Sequence, residues 1–296
     1  MNIETRASIA VAISGFIWGV FWIPIRALDQ AGLHGLWGLA LFYGLPGVLV
    51  LPLLARRWRQ FKAAPLRLSL LGIVFAVPLL LYSIAILETT VIRAILLFYL
   101  TPVWSTLLER LVLGERITAL RIAGIAAAFA GMFIMFGTAI GDGGVFGPGD
   151  WMALAAGFGW SVSSLLLRMN QDLAAPDLFT HNFLWSAVAI VLVVWLFAGE
   201  PAPDASLAVA QMWWLLPVIA GVVMTAVYAS VWGAPKIQPG LAGLLYMTEI
   251  SAGAITAALW ANEPFGWREL TGIVLITSAG ALEPVWTALR RPEPAT

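Results

Sequence analysis

One carboxylate stands out as able to do chemistry. Glu249 falls near the middle of a long apolar run, with Thr248 and Ser251 beside it in the sequence, and the i, i+3, i+7 spacing puts Tyr246, Glu249 and Gly253 on one helix face. A charge at the centre of a membrane costs roughly 2.5–3.5 kcal/mol on insertion scales. Two readings follow: Glu249 binds a substrate ammonium group or exchanges a proton, or it stays protonated or pairs structurally with a polar neighbour such as His181 or Asn182.

The chain holds five tyrosines, and four occupy matched positions: Tyr82 with Tyr228, and Tyr99 with Tyr246. A phenol has an apolar body and one hydrogen-bonding tip, which in lipid needs a partner, so all four are expected to face the interior of a helix bundle. There they could bond a carboxylate or an amine, or stack on a ring. Trp18 and Trp22 share a face with Gly15 and Gly19, as Trp160 and Ser164 do with Gly157 and Ser161. Small residues let helices approach closely, and the indoles then either wall a cavity for an aromatic substrate or belong to packing and interfacial belts. Other charges are less promising. Glu109 and Arg110 are expected near a membrane interface, Glu115 and Glu263 at helix ends in water, and Glu88 and Arg93 in a tight outer turn that is either solvated or makes a gating contact.

These residues need long apolar helices to position them. The chain is 61% hydrophobic and 11% charged, with mean hydropathy +0.91, where a soluble domain carries about 25% charged residues. Ten continuous apolar runs cover residues 7–27, 35–55, 68–87, 92–113, 119–138, 150–169, 178–198, 213–233, 240–261 and 268–289. Each is close to the roughly 20 residues that a bilayer core demands. Pro24, Pro78, Pro102 and Pro217 fall inside these runs and predict kinks.

The runs repeat. Gly15-Phe16-Ile17-Trp18-Gly19 returns as Gly157-Phe158-Gly159-Trp160-Ser161, and Arg26 falls on Arg168. Tyr99 and Thr101 fall on Tyr246 and Thr248, and Gly114-Glu115 on Asn262-Glu263, while Glu249 stands where the first half has Pro102. With the N-terminus cytoplasmic, 13 of the 16 basic residues lie inside, so both termini are expected in the cytoplasm. Five helices per half, an odd number, then place the halves upside down relative to each other, the arrangement behind alternating access. The expected fold is an all-α integral membrane protein of ten transmembrane helices in two inverted five-helix repeats, 1–138 and 150–296, joined by a Gly-rich linker at 139–149.

The Gly-Phe-x-Trp-Gly of the first helix, Tyr99-Leu100-Thr101-Pro102-Val103 and Leu113-Gly114-Glu115-Arg116-Ile117 together resemble the drug/metabolite transporter superfamily, in its ten-helix EamA-like branch. Within that branch the chain is most similar to bacterial aromatic amino-acid exporters. The resemblance implies an inner-membrane carrier that moves small metabolites out of the cell, with helices 5 and 10 peripheral to a central cavity. Trp18, Trp22, Tyr82, Tyr99, Thr101, Trp160, Ser164, Tyr228, Tyr246 and Glu249 are the candidate substrate-binding residues. An amino acid or similar small molecule and membrane lipid are the expected partners, and a monomer suffices to enclose the cavity.

Other classes find little support. No phosphate-binding Gly-x-x-x-x-Gly-Lys loop, nucleophile elbow or His-Glu-x-x-His motif occurs, and there is no cysteine. No enzyme activity, cofactor or metal is expected. Zero formal net charge gives no reason to expect a nucleic-acid partner. A nucleotide-sugar carrier would want basic residues within the spans, and here they cluster at the ends.

Overall fold

A computed structural model describes residues 3–114, 117–141, 146–170, 172–199, 201–237, 242, 245–261, 263 and 265–289. The described secondary structure is helical throughout. The chain runs through α1 (Ile3–Gly19), α2 (Trp22–Gln30), α3 (Leu36–Leu49), α4 (Leu51–Arg56), α5 (Trp58–Ala63), α6 (Pro65–Glu88), α7 (Val91–Phe98) and α8 (Thr101–Leu108). Then follow α9 (Ala119–Gly141), α10 (Pro148–Met169), α11 (Ala175–Phe197), α12 (Ala205–Val218), α13 (Met224–Gly233), α14 (Thr248–Trp260) and α15 (Trp267–Leu289). Seven helical stretches among the described residues are long and apolar enough to cross a membrane: Ile3–Gln30, Leu36–Arg56, Pro65–Glu88, Val91–Leu113, Pro148–Met169, Ala175–Phe197 and Ala205–Lys236. Of the remaining expected runs, 119–138 and 268–289 overlap α9 and α15, and α14 covers the later part of 240–261.

Most of these stretches are interrupted, and the interruptions have causes. Pro24 has no N–H to give the carbonyl of Val20, and the chain turns at Val20 and Phe21 between α1 and α2. Pro102 lies in the first turn of α8, where a missing donor costs least, and Tyr99 and Leu100 form the turn before it. After Pro217 the helix widens into a π turn at Ile219–Val223, and a second π turn, Glu109–Leu113, ends the α8 stretch. Pro78 is accommodated inside an unbroken α6. One break has no proline: Met247 turns the chain just before α14, at the position that corresponds to Leu100.

Packing joins the two halves. In the first half's direction, α10 lies along α6, α7 and α8; in the second's, α1 lies along α13 and α14. Across the middle α11 packs on α3 and α6, while α9 and α15 pair with each other. The repeated glycines explain the closest approaches. A Cβ on Gly15 would lie 2.9 Å from the carbonyl oxygen of Leu245 and 3.1 Å from Cα of Tyr246. A Cβ on Gly157 would lie 3.2 Å from Cα of Phe98. Each glycine therefore seats the broken helix of the opposite half, just ahead of its break.

Candidate functional site

The two breaks put helix N-termini in the interior of the bundle. In α14 the first turn carries Glu249, where the amide ends of the half-helix favour a negative charge. In α8 the matching position is Pro102, so the two half-helices share a geometry and only one carries an acid.

Glu249 is buried, 6% exposed. The Tyr99 hydroxyl donates to its Oε2 at 2.9 Å and the Tyr82 hydroxyl to its Oε1 at 3.4 Å. The Tyr99 hydroxyl also lies 3.0 Å from the carbonyl oxygen of Tyr246. Among the described residues the recorded hydrogen-bond partners of this carboxylate are these two phenols, and no basic side chain forms an ion pair with it. Aromatic rings extend from the phenols. Phe98 stands 4.8 Å from the Tyr82 ring and 6.2 Å from Trp160, and Trp160 meets Phe75 edge-on at 6.0 Å. The cluster can therefore offer an acceptor to a cation or a proton, beside an aromatic surface suited to apolar bodies and to cations.

The other candidates divide. Trp18 is buried, its indole 3.5 Å from the Ser230 hydroxyl, which pairs with Ser14 at 2.6 Å. Trp22 is buried and donates to Thr256 of α14 at 3.1 Å. The Thr101 hydroxyl turns back to the carbonyl of Phe98 at 2.6 Å, and Tyr246 is half-buried. Ser164 is exposed on α10. Tyr228 does not join Glu249: it is 41% exposed and stands edge-on to Phe179 at 5.6 Å. His181 and Asn182 are not bonded to Glu249 either. The His181 ring stacks on Phe61 and its Nδ1 lies 2.8 Å from the carbonyl of Asp177. The fifth tyrosine, Tyr43, bonds Ser83 and the carbonyl of Leu79, a packing role.

Several charges expected in water are structural instead. Glu263 is buried and accepts from the amides of Val91 and Ile92 at 2.7 and 3.0 Å and from Arg26 at 3.1 Å. Arg93 donates to Asp150, itself 2% exposed, at 2.7 Å. Arg57 holds the nearly buried Asp177 with two N–H groups. Glu115 lies outside the described residues. Buried Asp150 and Asp177 drew no attention in the sequence because they flank the apolar runs, yet an acid beside the first turn of such a run is the signal that could have found them.

Known proteins now bear on this geometry. Residues 5–137 match the EamA-like transporter family. This EamA-like stretch covers nearly all of the expected first repeat. The chain is 28% identical over 229 residues to an "Uncharacterized transporter" of Vibrio cholerae, covering 75% of this chain and 73% of that one. It is 25% identical over 259 residues to the "Chloramphenicol-sensitive protein RarD" of Pseudomonas aeruginosa, covering 83% and 80%. A solved crystal structure superposes with a TM-score of 0.64 at 19% identity, covering 97% of this chain and all of that one, a likeness of fold alone. Together with the apolar helices these findings support a multi-pass membrane transporter whose first half is similar to the EamA-like transporter family.

Proposed function

We propose that this chain is a secondary transporter that moves aromatic and other neutral amino acids across the bacterial inner membrane by alternating access. It does so with ten helices in two inverted repeats, 1–138 and 150–296, and both termini in the cytoplasm. The crossed packing of α1 on α13 and α14 and of α10 on α6 to α8 supports the repeats. The observation that carries the reading is Glu249: a buried carboxylate at an interior half-helix start, held by two phenols beside an aromatic cluster. Glu249 takes the substrate ammonium group or a proton. Tyr82 and Tyr99 hold the carboxylate while it is empty and release it to the cargo. Trp18, Trp22 and Trp160 bound the site, with Thr101, Ser164, Tyr228 and Tyr246 along the path.

Uptake of labelled tryptophan and phenylalanine into proteoliposomes, with and without a pH gradient, tests this reading. Saturable uptake is expected, lowered at least tenfold in Glu249→Gln. Flux no greater than in empty liposomes for any amino acid would sink the cargo assignment. Accumulation that needs the gradient and is lost in Glu249→Gln makes Glu249 the proton-coupling group. A second reading, export of a drug or another metabolite, is favoured by the similarity to the chloramphenicol-sensitive protein, so chloramphenicol belongs in the same panel.

A further inference from the structure

At one end of the bundle, where α2, α6 and α14 finish and α7 and α10 begin, a network of charged groups lies beside buried apolar side chains such as Leu28, Ile86, Val91 and Ile92. Its centre is the turn Thr89–Thr90 between α6 and α7. Arg26, in the middle of α2, donates to the carbonyl of Ile86 at 3.2 Å and of Thr89 at 3.0 Å, filling acceptors that the end of α6 leaves free. Its Nη1 also binds Glu263, which follows α14. Glu263 in turn caps the first amides of α7. Asp150, from the first turn of α10, takes the Thr89 hydroxyl at 2.8 Å and Arg93 at 2.7 Å. A Cβ on Gly149 would meet the carbonyl carbon of Glu88 at 2.8 Å, so the start of α10 is pressed onto the same turn. Most of these ties meet at the α6–α7 turn, and both acids come from the second half of the sequence.

This closure touches the candidate site. The Arg26 guanidinium lies 5.6 Å from the centroid of the Trp22 ring, and the Trp22 indole binds Thr256, two turns along α14 from Glu249. At the other end the repeat counterpart of Arg26, Arg168, has a side chain 48% exposed and reaches Glu109 at 3.3 Å.

We propose that Arg26, Glu263 and the α6–α7 turn form a gate that closes one end of the substrate path, and that Trp22 transmits the state of the Glu249 site to it. Contacts of this kind suit a gate because water can replace each hydrogen bond as the halves part, so the net cost of opening stays moderate. Apolar interdigitation offers no such exchange. When cargo displaces Trp22, Arg26 loses its backing and Glu263 leaves the α7 amides.

The proposal rests on the transport reading, but its test needs no cargo. The chain has no cysteine, so single reporters can be introduced cleanly. Ala257→Cys marks the gated end, because Ala257 is fully buried and its carbonyl accepts from the Glu263 amide. Ser164→Cys marks the opposite end. Reaction with a soluble maleimide is followed on purified protein in detergent. The reporter at 257 is expected to react slowly in the parent and at least tenfold faster in Glu263→Gln or Arg26→Ala, while the reporter at 164 slows. A rate at 257 within twofold of the parent in both variants overturns the gate. Faster reaction at both ends together overturns it as well, because the ion pair is then a staple holding the fold. Trp22→Phe, which keeps a ring and loses the N–H, is expected to speed reaction at 257 by a smaller factor, and an unchanged rate removes Trp22 from the device. Expected labelling with no amino-acid flux in liposomes would instead overturn the cargo.

Discussion

Arg26 and Arg168 fall on matched positions when the sequence is laid against itself, and they meet opposite fates. Arg26 is packed among backbone carbonyls and a buried acid, its side chain 23% exposed. Arg168 sits half in water on Glu109, whose own side chain is 21% exposed. The same residue type at matched positions is thus tightly bound at one end and loosely at the other. The difference teaches that matched sequence positions can meet different surroundings at the two ends of the bundle.

The sharpest way to break this comparison is to remove the acid at the bound end. Glu263→Leu leaves Arg26 and two helix amides without their partner in a buried place, and a loss of roughly 3–5 kcal/mol is expected. Thermal unfolding in detergent reads it. Arg168→Ala should cost no more than about 1 kcal/mol by the same measurement, as exposed pairs do. Equal losses would erase the distinction between the ends. Arg57→Ala, which releases Asp177 beside the Arg168 end, should fall between them at roughly 2 kcal/mol. Comparable in size is the seat of the first-half break: Gly157→Ala pushes a methyl group onto the Phe98 backbone and should cost about 1–3 kcal/mol, with binding impaired because Phe98 and Tyr99 shift.

The smallest effect concerns pH. Arg67 donates to Asp172 through two N–H groups and holds that carboxyl below its ordinary range. A depressed folded pKa stabilises the fold above the unfolded value, about 3.9, and that contribution is lost as pH falls through the folded one. In this solvent-exposed pair, Arg67→Ala should remove only a slight acid-side slope of stability below pH 4, with stability unchanged once the pH is below the folded-state value. A slope that persists assigns it to other carboxylates.

The apolar helices and the small-residue faces on which they approach closely could be read from the sequence because apolar length and small-residue spacing are local properties, while the partner each glycine seats could not. The turn before α8 could also be anticipated, since Pro102 announces it. The turn at Met247 could not, for no proline or glycine stands there; the repeat alone links it to Leu100. Tyr82, Tyr99 and Glu249 were singled out separately, each as a polar group in an apolar run, and the fold brings them within hydrogen-bond reach. Tyr228 carried the same signal, yet it stands against Phe179 because facing direction depends on how α13 rotates in the bundle. Glu263 was misread as solvated for a related reason. The groups it satisfies are amides more than 170 residues earlier in the chain, and no local pattern records that.

The crossed packing has a consequence for biogenesis. As the chain emerges from the ribosome, α6, α7 and α8 enter the bilayer before α10 exists, and α1 waits still longer for α13 and α14. Until then the cleft that Gly15 keeps for the Tyr246 backbone faces lipid or stray helices. Half-made protein should therefore be a favoured target of membrane quality control, and separately expressed halves should accumulate only when both are made together.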